Sequence, residues 1–168
     1  MKWPQAIRVL ATTVWVAGCV SAGRVTVLPA VGPPPFETGY ALADGRLAVY
    51  SAFDPGATSD PDASIHHSGY RIYSVDGKQL RYVKNWVGSF NEEPEIVSLA
   101  PGRYSVVARA TGSEIVKVPV TIEAGKITSL RLDGSKLNQG RRTSTSDFVR
   151  LPGGLIVGWA AKENGEVK

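Results

Sequence analysis

The chain is poor in cysteine, and this scarcity narrows the ways in which it can be stabilised. Cys19 is the only cysteine among 168 residues, so no disulfide can form within the chain. If Cys19 is itself modified, no thiol remains for a metal site or for nucleophilic catalysis. The fold must then rest on burial of its core, which is feasible for a chain of this length.

Signatures of catalysis and nucleotide binding are also missing. No Gly-x-Ser-x-Gly elbow occurs, and no glycine-rich phosphate loop precedes a helical pattern. Asp60 and Asp62 lie in a polar stretch that is typical of a solvated loop. A glycosidase instead needs two carboxylates that face each other across a cleft. We therefore expect a protein that is not an enzyme and has no cofactor.

The charge of the chain is only weakly basic. There are 19 basic and 15 acidic residues, which gives a formal net charge of +4. Residues 1–18 hold two of the 19 basic residues and none of the 15 acidic ones, so the remainder carries +2. Beyond Arg141-Arg142, residues 19–168 contain no basic block. This balance does not favour nucleic acid as a partner.

The N-terminus has the organisation of an export signal. Lys2 and Arg8 are followed by an apolar run over residues 9–17 and by small residues. The run is about half the ~20 apolar residues that a bilayer span needs, which disfavours an uncleaved anchor. Val16-Ala17-Gly18-Cys19 resembles the lipobox of bacterial lipoproteins, with Val16 where leucine is more usual. The alternative is an ordinary secretory signal with an incidental cysteine.

The lipobox resemblance implies cleavage after Gly18 and acylation of the Cys19 thiol and the new amino group. Several acyl chains on one residue give stable membrane attachment. Val20 stands where the family's inner-membrane retention signal has aspartate. The resemblance therefore implies a cell-envelope protein, anchored by lipid in the outer membrane and facing the periplasm or the surface.

Four segments are expected along the chain. They are a signal peptide over residues 1–18, a lipidated and Pro/Gly-rich lead-in over 19–45, a β-sandwich over 46–162 and a frayed tail over 163–168. Three consecutive prolines, Pro33 to Pro35, favour extended geometry in the lead-in. This segment is either a semi-rigid spacer or a strap packed along the sandwich.

The rest of the chain reads as short strands separated by turns. Asp76-Gly77 between two apolar runs predicts a β-hairpin with a type I′ turn. Residues 115–123 alternate apolar and polar side chains, which predicts one buried and one solvated face. Pro119 lacks an N–H, so this strand is expected at a sheet edge. The fold class predicted is all-β, an antiparallel two-sheet sandwich of about seven strands.

One stretch carries a family resemblance. Residues 99–108, Leu-Ala-Pro-Gly-Arg-Tyr-Ser-Val-Val-Ala, resemble the L-x-P-G-x-Y-x-V-x-A run of carboxypeptidase-regulatory-like, or transthyretin-like, domains. The likeness spans about residues 69–133. It implies a Greek-key sandwich of the prealbumin or immunoglobulin type. Such domains usually serve as non-catalytic modules or as small binding and scaffolding proteins.

Two groups of residues are candidates for a site. Tyr73 and Trp86, with Asn85 beside them, would form an aromatic platform for sugar rings or a protein if they are exposed, whereas aromatic residues in a sandwich are more often core. His66 and His67 are weak candidates for zinc or copper. Adjacent side chains of an extended segment point to opposite sides, so the two histidines would need a kink to share an ion.

Together these features favour a lipid-anchored, non-catalytic β-sandwich of the cell envelope that acts in binding, scaffolding or assembly. Its expected partners are the membrane, through the N-terminal lipid, and an envelope protein or a glycan. The alternative is a carbohydrate-binding module that uses exposed aromatics in the hairpin region from Tyr70 to Trp86.

Overall fold

A computed structural model of the chain describes residues 25–35, 43–54, 66–85, 93–137 and 144–162. The predictions on Cys19, on Trp86 and on residues 163–168 lie outside these ranges. The described residues contain no α-helix, and their regular elements are eleven β-strands and short 3-10 turns. The strands are β1 Val25–Val27, β2 Val31–Gly32, β3 Gly45–Tyr50, β4 Tyr70–Tyr73, β5 Gln79–Val83, β6 Ile96–Leu99, β7 Gly102–Arg109, β8 Ile115–Ile122, β9 Ile127–Arg131, β10 Phe148–Arg150 and β11 Ile156–Ala160.

The strands form two sheets. The large sheet has eight strands in the order β10-β11-β2-β8-β7-β4-β5, and β1 also pairs with β8. The small sheet has three strands in the order β6-β3-β9. The predicted all-β class with two sheets is confirmed. Both sheets are mixed rather than purely antiparallel, because β1 and β2 run parallel to β8 and β3 runs parallel to β9. The strand number also exceeds the expected seven.

Alternation along the strands explains how the sheets pack. In β8 every second side chain is buried, as the period of two predicts. In β7 the same alternation buries Val106 and Ala108, with Tyr104 half-buried. The inward side chains of both sheets meet in one apolar core. Its largest fully buried members are Tyr70, Leu47, Ile72, Ile122, Leu130 and Leu132. Each such side chain contributes about 1.5–3 kcal/mol when removed from water.

The sandwich begins earlier in the chain than the lead-in of residues 19–45 allows. β1 pairs with the first half of β8, from Val25 opposite Ile115. β2 pairs further along the same strand, and Leu28 and Val31 are buried in the core. Residues 25–32 are therefore a strap built into the large sheet, not a spacer, and the domain starts at β1 instead of residue 46.

Pro119 lies inside the large sheet, so the expectation of an edge strand was wrong. β8 is flanked by β7 on one side and by β1 and β2 on the other. The Lys117 carbonyl accepts the Leu28 N–H at 2.9 Å on the β1 side. Alternate residues of a strand direct their backbone groups to the same neighbour. The missing N–H of Pro119 therefore faces the gap where β1 has ended and β2 begins.

The hairpin predicted at Asp76-Gly77 is present, and a second hairpin closes the chain. β4 and β5 are joined across Asp76-Gly77, and β10 and β11 across residues 151–155. The first turn is not type I′, because only Gly77 has a positive φ, at 85°. The Gly77 N–H instead bonds to the Ser74 carbonyl at 3.0 Å, and the pairing register shifts between Ile72 and Tyr73, where Leu80 is an extra residue on the β5 side. A turn followed by a left-handed glycine and a bulge is the common longer form of a hairpin.

Candidate binding surface and buried polar cluster

The outward side of the large sheet carries a continuous surface, which we call the open face. It consists of the outward side chains of β1, β8, β7, β4 and β5. One row crosses all five strands in register. In strand order this row is Val27, Lys117, Val107, Arg71 and Tyr82. A second row joins Val25, Ile115 and Arg109.

The open face exposes large apolar side chains to solvent. Val27 is 67% exposed and Tyr82 is 53% exposed, and Val25 and Ile115 are 46% and 40% exposed. Isolated apolar residues are ordinary on protein surfaces, but neighbours in register form a patch. The patch is thickest around β1, at the corner where the chain enters the sandwich.

Charge on the open face has one sign. Arg71, Arg103, Arg109 and Lys117 project from it, and no aspartate or glutamate occupies an outward position on the described residues of these five strands. The Arg71 guanidinium lies 5.5 Å from the centre of the Tyr82 ring, within the range of a cation–π contact. Asp54 approaches Arg109 to 3.6 Å at the rim of the face. The face is therefore basic even though the whole chain is nearly balanced.

Tyr73 lies on the open face and is half-buried. Its hydroxyl is 3.4 Å from the Gln79 side-chain oxygen, which is a long hydrogen bond. Tyr70, on the opposite side of β4, is buried in the core with only 1% exposed. The exposed aromatic ring of this hairpin is Tyr82, which the sequence did not single out.

Asn85 is placed in the interior and not on a ligand-binding platform. Its side chain is 1% exposed, and its Nδ2 donates to the Val49 carbonyl at 2.8 Å and to the Ser51 hydroxyl at 2.9 Å. Its Oδ1 accepts the Glu95 N–H at 3.0 Å. The backbone has φ of 61°, a left-handed conformation that asparagine tolerates well. This amide ties β3 to the segment before β6 and is not available to a ligand.

His67 is also an interior residue. Its ring stacks on Phe53 with centroids 4.7 Å apart and meets Tyr50 edge-on at 5.7 Å. Nδ1 donates to the Ser51 carbonyl at 2.6 Å. Because a carbonyl only accepts, the Nδ1 of His67 carries a proton. The adjacent His66 is half-buried and its carbonyl accepts the Asp54 N–H at 2.9 Å.

The geometry around His67 does not resemble a hydrolytic triad. The Ser51 hydroxyl donates to the Ser68 carbonyl at 2.5 Å, while the histidine contacts the Ser51 carbonyl and not that hydroxyl. A nucleophilic serine would instead pass its proton to the imidazole. Within the described ranges, no group of three or more His, Cys, Asp or Glu side chains is placed to hold a metal ion. The hydrogen bonds among His67, Ser51 and Asn85 join the loops to the end of β3.

Burial also affects two tyrosines. Removal from water raises the pKa of the Tyr70 hydroxyl well above its usual range, and the nearby Glu95 charge adds to the effect. Burial also raises the pKa of Tyr50, against the opposing effect of Arg131. Both groups are neutral at physiological pH and neither is poised for proton transfer.

Among the residues that the structure describes, no helix is long and apolar enough to cross a membrane. Comparison of the chain with family models, curated proteins and solved structures finds no match. The geometry of this chain is therefore the basis for its proposed function. The open face is its most distinctive surface, and sequence reasoning missed it because its residues come from five strands that only the register brings together.

Proposed function

We propose that the protein is a lipid-anchored, non-catalytic β-sandwich of the cell envelope that acts in binding or scaffolding close to the membrane. The observation that carries the proposal is the position of β1. It starts at Val25, only six residues after Cys19. An extended chain spans at most ~3.6 Å per residue, so an acyl group on Cys19 would hold the start of the sandwich within about 20 Å of the membrane surface.

The short tether supports a function at the membrane surface. A binding partner would either reach the sandwich close to the bilayer or be a component of the bilayer. The interior positions of Asn85 and His67 support a role without catalysis, since their polar groups bond to the protein's own backbone. The open face supports binding, since it leaves both charge and apolar area in solvent.

Mass spectrometry of the mature N-terminus tests the anchor. Protein purified from envelope membranes should start at Cys19 and carry acyl mass, while Cys19→Ala should lack the acyl mass and leave the membrane fraction. A mature wild-type chain with an unmodified Cys19 would contradict the proposal. In-cell crosslinking of the lipidated form, with Cys19→Ala as the comparison, would then identify a protein partner.

A glycan-binding module is the second candidate. It is favoured by the exposure of Tyr82 beside Tyr73 on one surface, because sugar rings stack on exposed aromatic faces. This function predicts saturable binding to envelope glycans that Tyr82→Ala or Trp86→Ala abolishes while the fold survives. Unchanged glycan binding in both variants would exclude it.

A further inference from the structure

We propose that the open face binds the anionic headgroups of phospholipids and lies on the surface of the membrane to which the chain is tethered. The inference deepens the proposed function, on which it rests for the choice of membrane. The affinity of the face for anionic lipid is a property of the sandwich itself. It therefore has a test that does not need the acyl group.

The open face carries positive charge, which favours an anionic partner. Arg71 and Lys117 are both exposed and stand in the same row of the open face, two strands apart. No carboxylate interrupts the outward positions of the described strands, so the two positive charges are not offset there. Each Lys or Arg near an anionic membrane surface raises partitioning by about fivefold. A flat sheet presents such residues to the headgroups together.

The open face also has an exposed apolar corner, which favours a lipid surface. Val25, Val27 and Ile115 are exposed next to one another where β1 runs beside β8. On a soluble protein such a corner gains nothing from solvent, but at a bilayer it can enter the region between headgroups and acyl chains. Tyr82, at the other end of the same row, has the ring with a polar tip that favours membrane interfaces.

The short segment between Cys19 and β1 favours the membrane as the partner of this face. Val25 begins β1, so the chain leaving Cys19 enters the sandwich at the apolar corner of the open face. A short linker between two binding elements raises the effective concentration of the second. An anchor at this corner therefore brings the face against the lipid even if its own affinity is weak. The occupant that fits both the position and the charge is an anionic membrane surface.

Vesicle binding by the mature chain carrying Cys19→Ala tests the inference. The probes are phosphatidylcholine vesicles with and without phosphatidylglycerol, each at low and high ionic strength, read by co-sedimentation. We expect binding to the anionic vesicles alone, weakened by salt. Lys117→Glu should lower the partition coefficient by at least about fivefold, and Arg71→Glu with Lys117→Glu by at least about 25-fold.

Matched substitutions outside the face serve as controls. Lys136→Glu reverses an exposed lysine that follows β9, and it should leave binding within about twofold of the parent, because Debye screening limits distant charges. Val27→Ser should cause a smaller loss that persists at high ionic strength, while Ile96→Ser on the small sheet should cause none. Circular dichroism and thermal unfolding establish that each variant is folded.

Three results would overturn the inference. One is equal binding to neutral and anionic vesicles. Another is an equal loss with Lys136→Glu and Lys117→Glu. The third is a double-stranded DNA duplex that binds through Lys117 while vesicles do not bind. Because the chain used lacks Cys19, failure here leaves the acyl anchor untouched, and an unmodified Cys19 in cells leaves the vesicle result untouched.

Discussion

The outer faces of the two sheets share a cross-strand Arg–Tyr pair but differ in how open they are. On the small sheet Arg131 lies opposite Tyr50 in register, with its guanidinium 3.4 Å from the ring centre. On the large sheet Arg71 lies opposite Tyr82, at 5.5 Å. The outward residues of β3 and β9 are all buried or half-buried, whereas those of the open face include several exposed side chains.

The difference shows what alternation can and cannot reveal. Ala48 points outward from β3 by its position, yet it is 4% exposed and does not belong to the central core. Lys117 points outward from β8 and is exposed. The period of two assigns side chains to a face, but which outward face is covered depends on chain segments far away in the sequence.

The largest expected effect separates these two outward positions. Ala48→Glu forces a carboxylate into a buried site sized for a methyl group, and should lower the free energy of unfolding by about 3 kcal/mol or more. Lys117→Glu should change it by no more than about 0.5 kcal/mol. Urea unfolding of both variants measures the contrast. Equal stability would mean that both outer faces are open in solution.

Asn85→Ala comes next, because Asn85 holds the small sheet to the loops that cross between the sheets. The substitution removes the side-chain hydrogen bonds to the Val49 carbonyl and from the Glu95 N–H, and it places alanine at positive φ. We expect a loss of about 3 kcal/mol in unfolding free energy. Asn85→Gly keeps the backbone unstrained and should recover about 1 kcal/mol. No difference between the two would assign the whole effect to the hydrogen bonds.

The two Arg–Tyr pairs offer a closer comparison. Double-mutant cycles with Tyr→Leu and Arg→Ala should give a coupling energy of about 2 kcal/mol for Tyr50 and Arg131, and about 0.5–1 kcal/mol for Arg71 and Tyr82. The reason is that a shielded cation–π contact competes less with water. Equal coupling energies would show that the small sheet's pair is as solvated as the other, and the reverse order that it is more solvated.

The smallest effect at neutral pH is expected for Tyr70→Phe. The Tyr70 hydroxyl is buried without a hydrogen-bond partner among the described residues, so its removal should be neutral or slightly stabilising. Above the ordinary tyrosine pKa of about 10, the unfolded chain loses a proton that folded Tyr70 keeps, so stability falls as pH rises.

Tyr70→Phe should reduce this loss of stability at alkaline pH. Part of the loss should remain in the variant, because the pKa of Tyr50 is raised in the same direction. Urea midpoints at about pH 8 and about pH 11 measure the difference. An identical alkaline loss in wild type and variant would show that the hydroxyl reaches water in the folded protein.

Much of the fold follows from local pattern. The alternation of residues 115–122 and the turn at Asp76-Gly77 placed β8 and the β4–β5 hairpin. The two-residue β2 escaped, since a strand of that length has too few positions to show a period. Pro119 misled because the gap it faces is made by a segment about ninety residues earlier in the chain.

The candidate site was less accessible to sequence reasoning. The sequence places Asn85 next to Trp86 and so suggests an amide on an aromatic platform, although asparagine directly after a strand is also a sign of a left-handed backbone. The open face needs the register of β1, β8, β7, β4 and β5. That register is set by pairings distant in sequence, so no local window contains it.

The parallel pairing of β1 with β8 has a consequence for the order in which the chain can fold. Val25 leaves the ribosome long before its partner Ile115, and β2 must lie between β8 and β11, which ends at Ala160. Contacts of such sequence separation form slowly, because a long loop must close before they stabilise anything. The first strands synthesised therefore wait, unpaired, for almost the whole domain, and the large sheet is completed only when its last strand arrives.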